Sequence, residues 1–337
     1  MKAKMKKYPI LISAIVSCSI IVISLFILGF FGIKLGVSLG GGSQIEVVMK
    51  EDGNKSNYVS KVGTVLDKYG YSVDSFFVED KYTAGDENTN FTKKCLVVQI
   101  SSDVSEEKAT KIKNDICSAL SLEEKYVSVD NIVSSVASKN ALNLGIAFAI
   151  IIVIFFVFGW IRYDIFAGIS FIVAFLHNII VYLSVIILTR VELSVSSLSV
   201  VVFMTLVMAL VLITMYERFR LVSKLQDADK ISTHERMLES EKQTINPFLF
   251  VCVAVAILAV GLLFIPSVRM KMVALNILIA LLVTAYTALL IGPSTYVATL
   301  EIREMNRKAI MSRNDTVNKA IKKKIQKQKE LKEKSGK

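Results

Sequence analysis

Six apolar runs free of acidic residues constrain this chain more than any other feature: Tyr8–Phe31, Ala141–Ile161, Ile165–Thr189, Leu198–Tyr216, Pro247–Ile265 and Met272–Thr295. A helix needs about 20 such residues to cross roughly 30 Å of hydrocarbon at about 1.5 Å per residue. The charged residues, only 20% of the chain against 53% hydrophobic, are pushed into the segments between the runs. Soluble domains carry about a quarter charged residues and spread them more evenly. The pattern predicts a multi-pass membrane protein. Lys2, Lys4, Lys6 and Lys7 precede the first run as they would in a signal peptide. Its apolar core is too long for one, however, and no small-x-small cleavage pattern follows before Gly36, so a retained anchor is expected.

The Lys/Arg bias of short flanks sets orientation. A lysine-rich start on the cytoplasmic side puts Gly32–Asn140 outside, and the segments around Arg162 and Arg218–Lys242 inside with the tail. Residues 301–337 hold 13 Lys/Arg against five Asp/Glu, whereas residues 32–140 hold 13 against 16. The net charge of +11 therefore belongs to cytoplasmic flanks. Such a polybasic tail is expected on anionic lipid, as a solvated helix at the membrane surface, and gives no specific nucleic-acid signature.

Between the first two runs the pattern changes period. Ile45–Met49, Ser72–Val78, Cys95–Ile100 and Tyr126–Val133 read as strands, and Tyr58–Tyr69 and Ala109–Leu120 as amphipathic helices, with Lys81–Asn90 a polar loop. The order βαββαβ is that of a ferredoxin-like split unit. The expected division is residues 1–31 as N-terminus and first span, 32–140 as extracytoplasmic domain, 141–300 as a five-helix membrane bundle and 301–337 as basic tail. Cys95 and Cys117 fall in the outer domain with no spacing motif, and their pairing is left open.

The run Gly36-Val37-Ser38-Leu39-Gly40-Gly41-Gly42-Ser43-Gln44-Ile45-Glu46 joins the first span to the first strand. Its glycines suit either a slack linker or a backbone needing positive φ or close approach. Further on stand Arg162-Tyr163-Asp164, His177-Asn178 in the third span, Glu217-Arg218-Phe219-Arg220 at the end of the fourth, and Tyr286-Thr287-Ala288 before Gly292-Pro293 in the sixth.

In order and spacing these segments resemble the SecF subunits of the SecD/SecF protein-export family, which is related to proton-driven RND-type exporters. The family pattern Gly-Ile-Asp-Phe-Thr-Gly-Gly-Thr-x-Ile-Glu is matched at Gly36, Gly41, Gly42, Ile45 and Glu46, with Ser38 at the Asp position. Arg162, the His177-Asn178 pair, Glu217 and Arg218 occupy further motif positions. The resemblance implies an α-helical polytopic membrane protein with six transmembrane helices plus an α+β ferredoxin-like extracytoplasmic domain. It implies an accessory role in protein translocation beside a SecD-like subunit and the SecYEG translocon, acting on exported polypeptides in a bacterial cell membrane. The small or polar residues Gly168, Ser184, Ser197, Asn276 and Thr284 are the expected contacts to that partner.

The departures bear on mechanism. Where the family's fourth span carries Gly-Tyr-Ser-x-Asn-Asp, this chain reads Leu206-Val207-Met208-Ala209-Leu210-Val211. No Asp or Glu lies in any of the six runs, so His177 is the one acid/base candidate inside them. Its alternative is a hydrogen-bonded packing role, with Asn178 unable to ionise. No nucleophile elbow, Walker loop, metal-spaced His/Cys set or cofactor fingerprint occurs, so neither enzyme chemistry nor a cofactor is expected. Two rival readings stand: a degenerate scaffold subunit without its own proton pathway, and half of an RND-type exporter of small molecules or lipids.

Overall fold

The structure is a computed structural model that describes residues 8–50, 54–71, 75–82, 92–100, 102, 104–132, 134–224, 231–265 and 268–335. The first span forms α1 (Tyr8–Phe31). Gly32 stops it by taking φ +64 while its N–H returns to Leu28 O at 2.9 Å, the left-handed end that glycine adopts without strain. A short helix α2 (Val37–Gly40) then leads into a four-stranded sheet.

The sheet is built from β1 (Gly42–Val48), β2 (Ser75–Tyr82), β3 (Thr92–Ile100) and β4 (Val127–Ile132). Helices α3 (Lys55–Lys68) and α4 (Glu106–Leu120) intervene. The strand order is β2-β3-β1-β4, and each pairing is antiparallel. Strand alternation sends Ile45, Val47, Leu96, Val98 and Ile100 to one face, where Tyr58, Val62, Leu66, Ile112 and Ile116 from the two helices complete a dry core. Cys117 joins that core from α4, whereas Cys95, one residue from Leu96, turns to the opposite face, and both are free thiols. The order of elements is the one expected from sequence. Strand β2 runs on through Lys81 and Tyr82, where a loop was expected, because both pair in register with β3. Residues 72–74, 83–90 and 133 of the expected strands and loop lie outside the described residues.

The remaining chain is helical: α5 (Ser134–Arg162), α6 (Ile165–Thr189), α7 (Val195–Val222), α8 (Thr233–Leu263), α9 (Val268–Tyr286), a π-helical turn (Thr287–Ile291) and α10 (Gly292–Ser335). Among the described residues six helices are long and apolar enough to cross a membrane. Helices α6, α7 and α9 with the start of α10 form the centre, while α1, α5 and α8 turn most of their apolar surface outward. Ser194 caps α7 through a reciprocal box with Ser197.

Two boundaries differ from the hydropathy reading. Helix α8 begins 14 residues before Pro247, behind a capping box of Ser232 and Glu235. Its first turns are amphipathic and charged, and so fall below a hydropathy threshold while still burying Met237, Ser240 and Thr244. The last helix does not end with the apolar run at Thr295. Pro293 lacks an N–H, the π turn directly before it absorbs the mismatch, and α10 then continues through the tail to Ser335.

Candidate functional site

Helix α6 carries several of the buried polar side chains of the bundle. Asp164 caps it, Oδ1 accepting from Ala167 N at 2.8 Å. Its crossing with α5 is unusually close. A Cβ on Gly168 would stand 2.7 Å from Phe156 O, and one on Gly159 would stand 3.0 Å from the Gly168 backbone. Small residues at such crossings let helices approach where no hydrophobic effect drives them together. From this fixed helix project His177, Asn178 and Tyr182.

His177 meets α1 on one side and the π turn on the other. Nε2 lies 2.8 Å from Ser17 Oγ, and Nδ1 lies 3.0 Å from Thr287 Oγ1. Ser17 Oγ is also 2.7 Å from Tyr286 OH, which donates to Ser13 O at 2.6 Å. The carbonyl at the end of this chain fixes its direction. Ser13 O can only accept, so it takes the one phenolic proton, and Tyr286 accepts from Ser17. The Ser17 oxygen then accepts from Nε2–H, which leaves Nδ1 to accept from Thr287. Of the two neutral tautomers, only this one gives each of the four contacts a proton. The π turn places Thr287 at this ring, immediately after Tyr286.

Asn178 faces the other way and is fully buried. Nδ2 donates to Thr205 Oγ1 at 3.1 Å, and Oδ1 accepts from Thr284 Oγ1 at 3.4 Å. One amide thus ties α6 to α7 and α9. A layer further along, Tyr182 OH donates to Asn276 Oδ1 at 2.9 Å and lies 3.2 Å from Ser197 O. Every one of these partners is neutral.

Charge gathers at the Arg162 end. Arg162 Nη2 and Glu217 Oε1 are 2.7 Å apart at a partly exposed position, and Arg218 is exposed. Behind the ion pair Tyr163, Tyr216 and Tyr296 stack together, with Tyr216 OH 3.2 Å from Gly292 O and Tyr296 OH 3.4 Å from Asp164 Oδ2.

The glycine run sits at the opposite end. Gly41 and Gly42 take φ of +76 and +125, conformations that side chains resist. Gly36 does not, but a Cβ there would collide with the Glu192 carboxylate. Glu46 is buried on the sheet face away from α3 and α4, accepting from Gln44 Nε2 at 2.7 Å.

The sequence candidates therefore fall in three places. His177 and Asn178 sit mid-bundle but belong to two separate hydrogen-bond groups, Arg162 and Glu217 pair at one end, and the glycines and Glu46 lie at the other. Ser17 and Thr205 were not foreseen, since a lone hydroxyl in an apolar run carries no signal of its own. Gly168, Ser184, Ser197, Asn276 and Thr284, expected to meet a partner, are instead buried inside this chain. Thr284 reaches Asn178 there, and Asn276 reaches Tyr182 and Met272 O.

The profile described as "Protein export membrane protein SecD/SecF, C-terminal" matches residues 110–302. Among solved structures the chain is similar to SecDF, a translocon-associated membrane protein from Thermus thermophilus, at TM-score 0.67 and 15% identity over 88% of this chain. It is also similar to SecDF in its super-membrane-facing form, at TM-score 0.56 and 14% identity over 89% of this chain. The matches take in 38% and 39% of those chains, so this chain spans well under half of their length. At such identities the likeness speaks for the fold. No curated protein matches the sequence.

Proposed function

The chain belongs to the SecD/SecF family of protein-export membrane proteins, and from that premise we propose that it is a SecF-like accessory subunit of the Sec translocase. In this reading it sits in a bacterial cell membrane with both termini cytoplasmic and residues 32–140 outside, where the βαββαβ unit is a ferredoxin-like domain. It works beside a SecD-like subunit and the SecYEG translocon on exported polypeptides, and makes no covalent chemistry of its own. The basic end of α10 meets anionic lipid where it leaves the membrane. The small size of the βαββαβ unit between the first and second spans supports the SecF side of the family, whose SecD subunits usually carry a much larger outer domain.

His177 acts here as a neutral hydrogen-bonding ring that holds α1 and the π turn to α6. The observation that carries this reading is its partner set: Ser17 and Thr287, joined through Ser17 to Tyr286 and a backbone carbonyl. A protonated ring would have to turn the Thr287 hydroxyl away and would find no carboxylate among these partners. An ionised group in lipid is costly unless paired. Any proton coupling of the complex then belongs to the partner subunit, which favours a supporting role over an exporter half with its own pathway.

The test is co-purification in mild detergent, followed by secretion assays in cells lacking the chain. Recovery with a SecD-like subunit and slowed secretion are expected. A monomer whose loss leaves secretion unchanged would sink the reading.

A further inference from the structure

The connection between α1 and the sheet domain is tied to the α6–α7 turn by several interactions of different kinds. Gly36 N donates to Leu193 O and Leu193 N to Lys34 O, each at 2.9 Å, so Leu35 and Leu193 form a parallel bridge. Ser38 Oγ accepts from Val195 N at 3.2 Å, which adds a cap to the first turn of α7 beside the one Ser194 supplies. Asn140 Nδ2, from the start of α5, donates to Ser38 O at 3.3 Å. Arg190 ends α6 in the left-handed conformation, and its Nη1 donates to Gly32 O at 2.6 Å and Phe31 O at 3.3 Å. Its guanidinium also lies over the Phe31 ring. The end of α1, the end of α6 and the start of α7 therefore satisfy one another's free backbone groups.

A slack linker would leave those groups to water. This one satisfies them within the chain. A Cβ on Gly36 would meet the end of the Glu192 side chain, which has room to turn aside, and one on Gly40 would lie 3.2 Å from Leu35 Cβ. Strand β1 begins four residues after Ser38, through Gly41 and Gly42 at positive φ, so little chain is left to absorb a displacement.

We infer that Lys34–Ser38 and the Arg190–Val195 turn form one mechanical joint, through which the sheet domain and the α6–α7 pair move as a single body. The inference rests on the proposed export role and deepens it: a displacement of the sheet domain reaches the His177 and Asn178 layers along α6 itself.

The experiment uses the full chain in membrane vesicles with Leu35→Cys and Leu193→Cys, judged against each single variant. Oxidation is expected to cross-link the pair almost completely, and the cross-linked protein is expected to support export as well as the reduced one. The joint is overturned if the pair fails to cross-link, or if cross-linking stops export until the bond is reduced. Cross-linking is read without reference to export, so loss of the export reading would leave this arm able to decide.

Discussion

The sheet domain and the membrane bundle solve the burial problem in opposite ways. In the domain, apolar side chains from one sheet face and two helices make a dry centre, and charged pairs such as Lys68–Asp115 stay at the surface. The centre of the bundle sets Ser17, Asn178, Thr205, Thr284 and Tyr182 among apolar clusters such as Phe171, Phe175, Met208 and Leu212, while Phe250, Ile257 and Phe264 point outward. Water rewards the first arrangement through the hydrophobic effect. Lipid tails are as apolar as leucine, so close packing and neutral hydrogen bonds must hold helices together there. A side chain of one type therefore has different worth in the two regions.

The largest effect is expected in the sheet core. Leu96→Ala should cost about 2–5 kcal/mol by leaving a cavity, read as faster proteolysis of the domain in intact vesicles with the bundle still protected. Equal loss of protection in both regions would break the comparison. A smaller effect is expected at Asn178→Leu, which keeps bulk but removes the ties to Thr205 and Thr284. Interhelical hydrogen bonds in membranes average about 0.6 kcal/mol, and Thr205 keeps its own bond to Val201 O. A thermal melt in detergent should shift only slightly, and a collapse of the bundle would show that the amide does more than join helices.

The smallest effect is electrostatic and confined to the domain. Hydrogen bonds from Lys68 and then Tyr69 hold the Asp115 carboxyl below its ordinary value. The hydrogen bond to Asp115 and its charge hold Lys68 above its own. A lowered carboxyl contributes stability above its unfolded pKa and loses it as pH falls through the folded one. A raised lysine contributes below its unfolded pKa and loses it as pH rises through the folded one. The α3–α4 tie is therefore complete across neutral pH and fades at both extremes. Asp115→Asn should flatten the pH dependence of domain stability, with a loss at pH 7 of the same small size, since the pair is solvent-screened. An unchanged pH profile would mean that the pair contributes nothing measurable.

How much of this was legible in the sequence follows the same division. Period-two and period-3.6 patterns gave the order of the domain elements, because a one-sided core forces alternation. All six spans were legible as apolar runs. The start of α8 at Thr233 was not, because a helix leaving the apolar region takes charge on its outward side. Pro247 favours reading a helix start, although neighbouring elements let it sit inside one. In the glycine run, Gly41 and Gly42 take the backbone their type suggested, while Gly36 faces Glu192, distant in sequence. The partner set of His177 was hidden for a similar reason. Ser17 and Thr287 are 160 and 110 residues from it, and only packing brings them together.

That partner set holds the central claim, that the bundle works through neutral hydrogen bonds with His177 uncharged. It is tested most directly by export into inverted vesicles carrying His177→Gln, with the proton gradient present and collapsed. Glutamine keeps a donor for Ser17 and an acceptor for Thr287 but cannot take up a proton. The account predicts the parental gradient-dependent rate in this variant, with His177→Phe impaired through assembly instead. A His177→Gln variant that assembles normally, yet loses the gradient-dependent part of export and keeps the remainder, would contradict it.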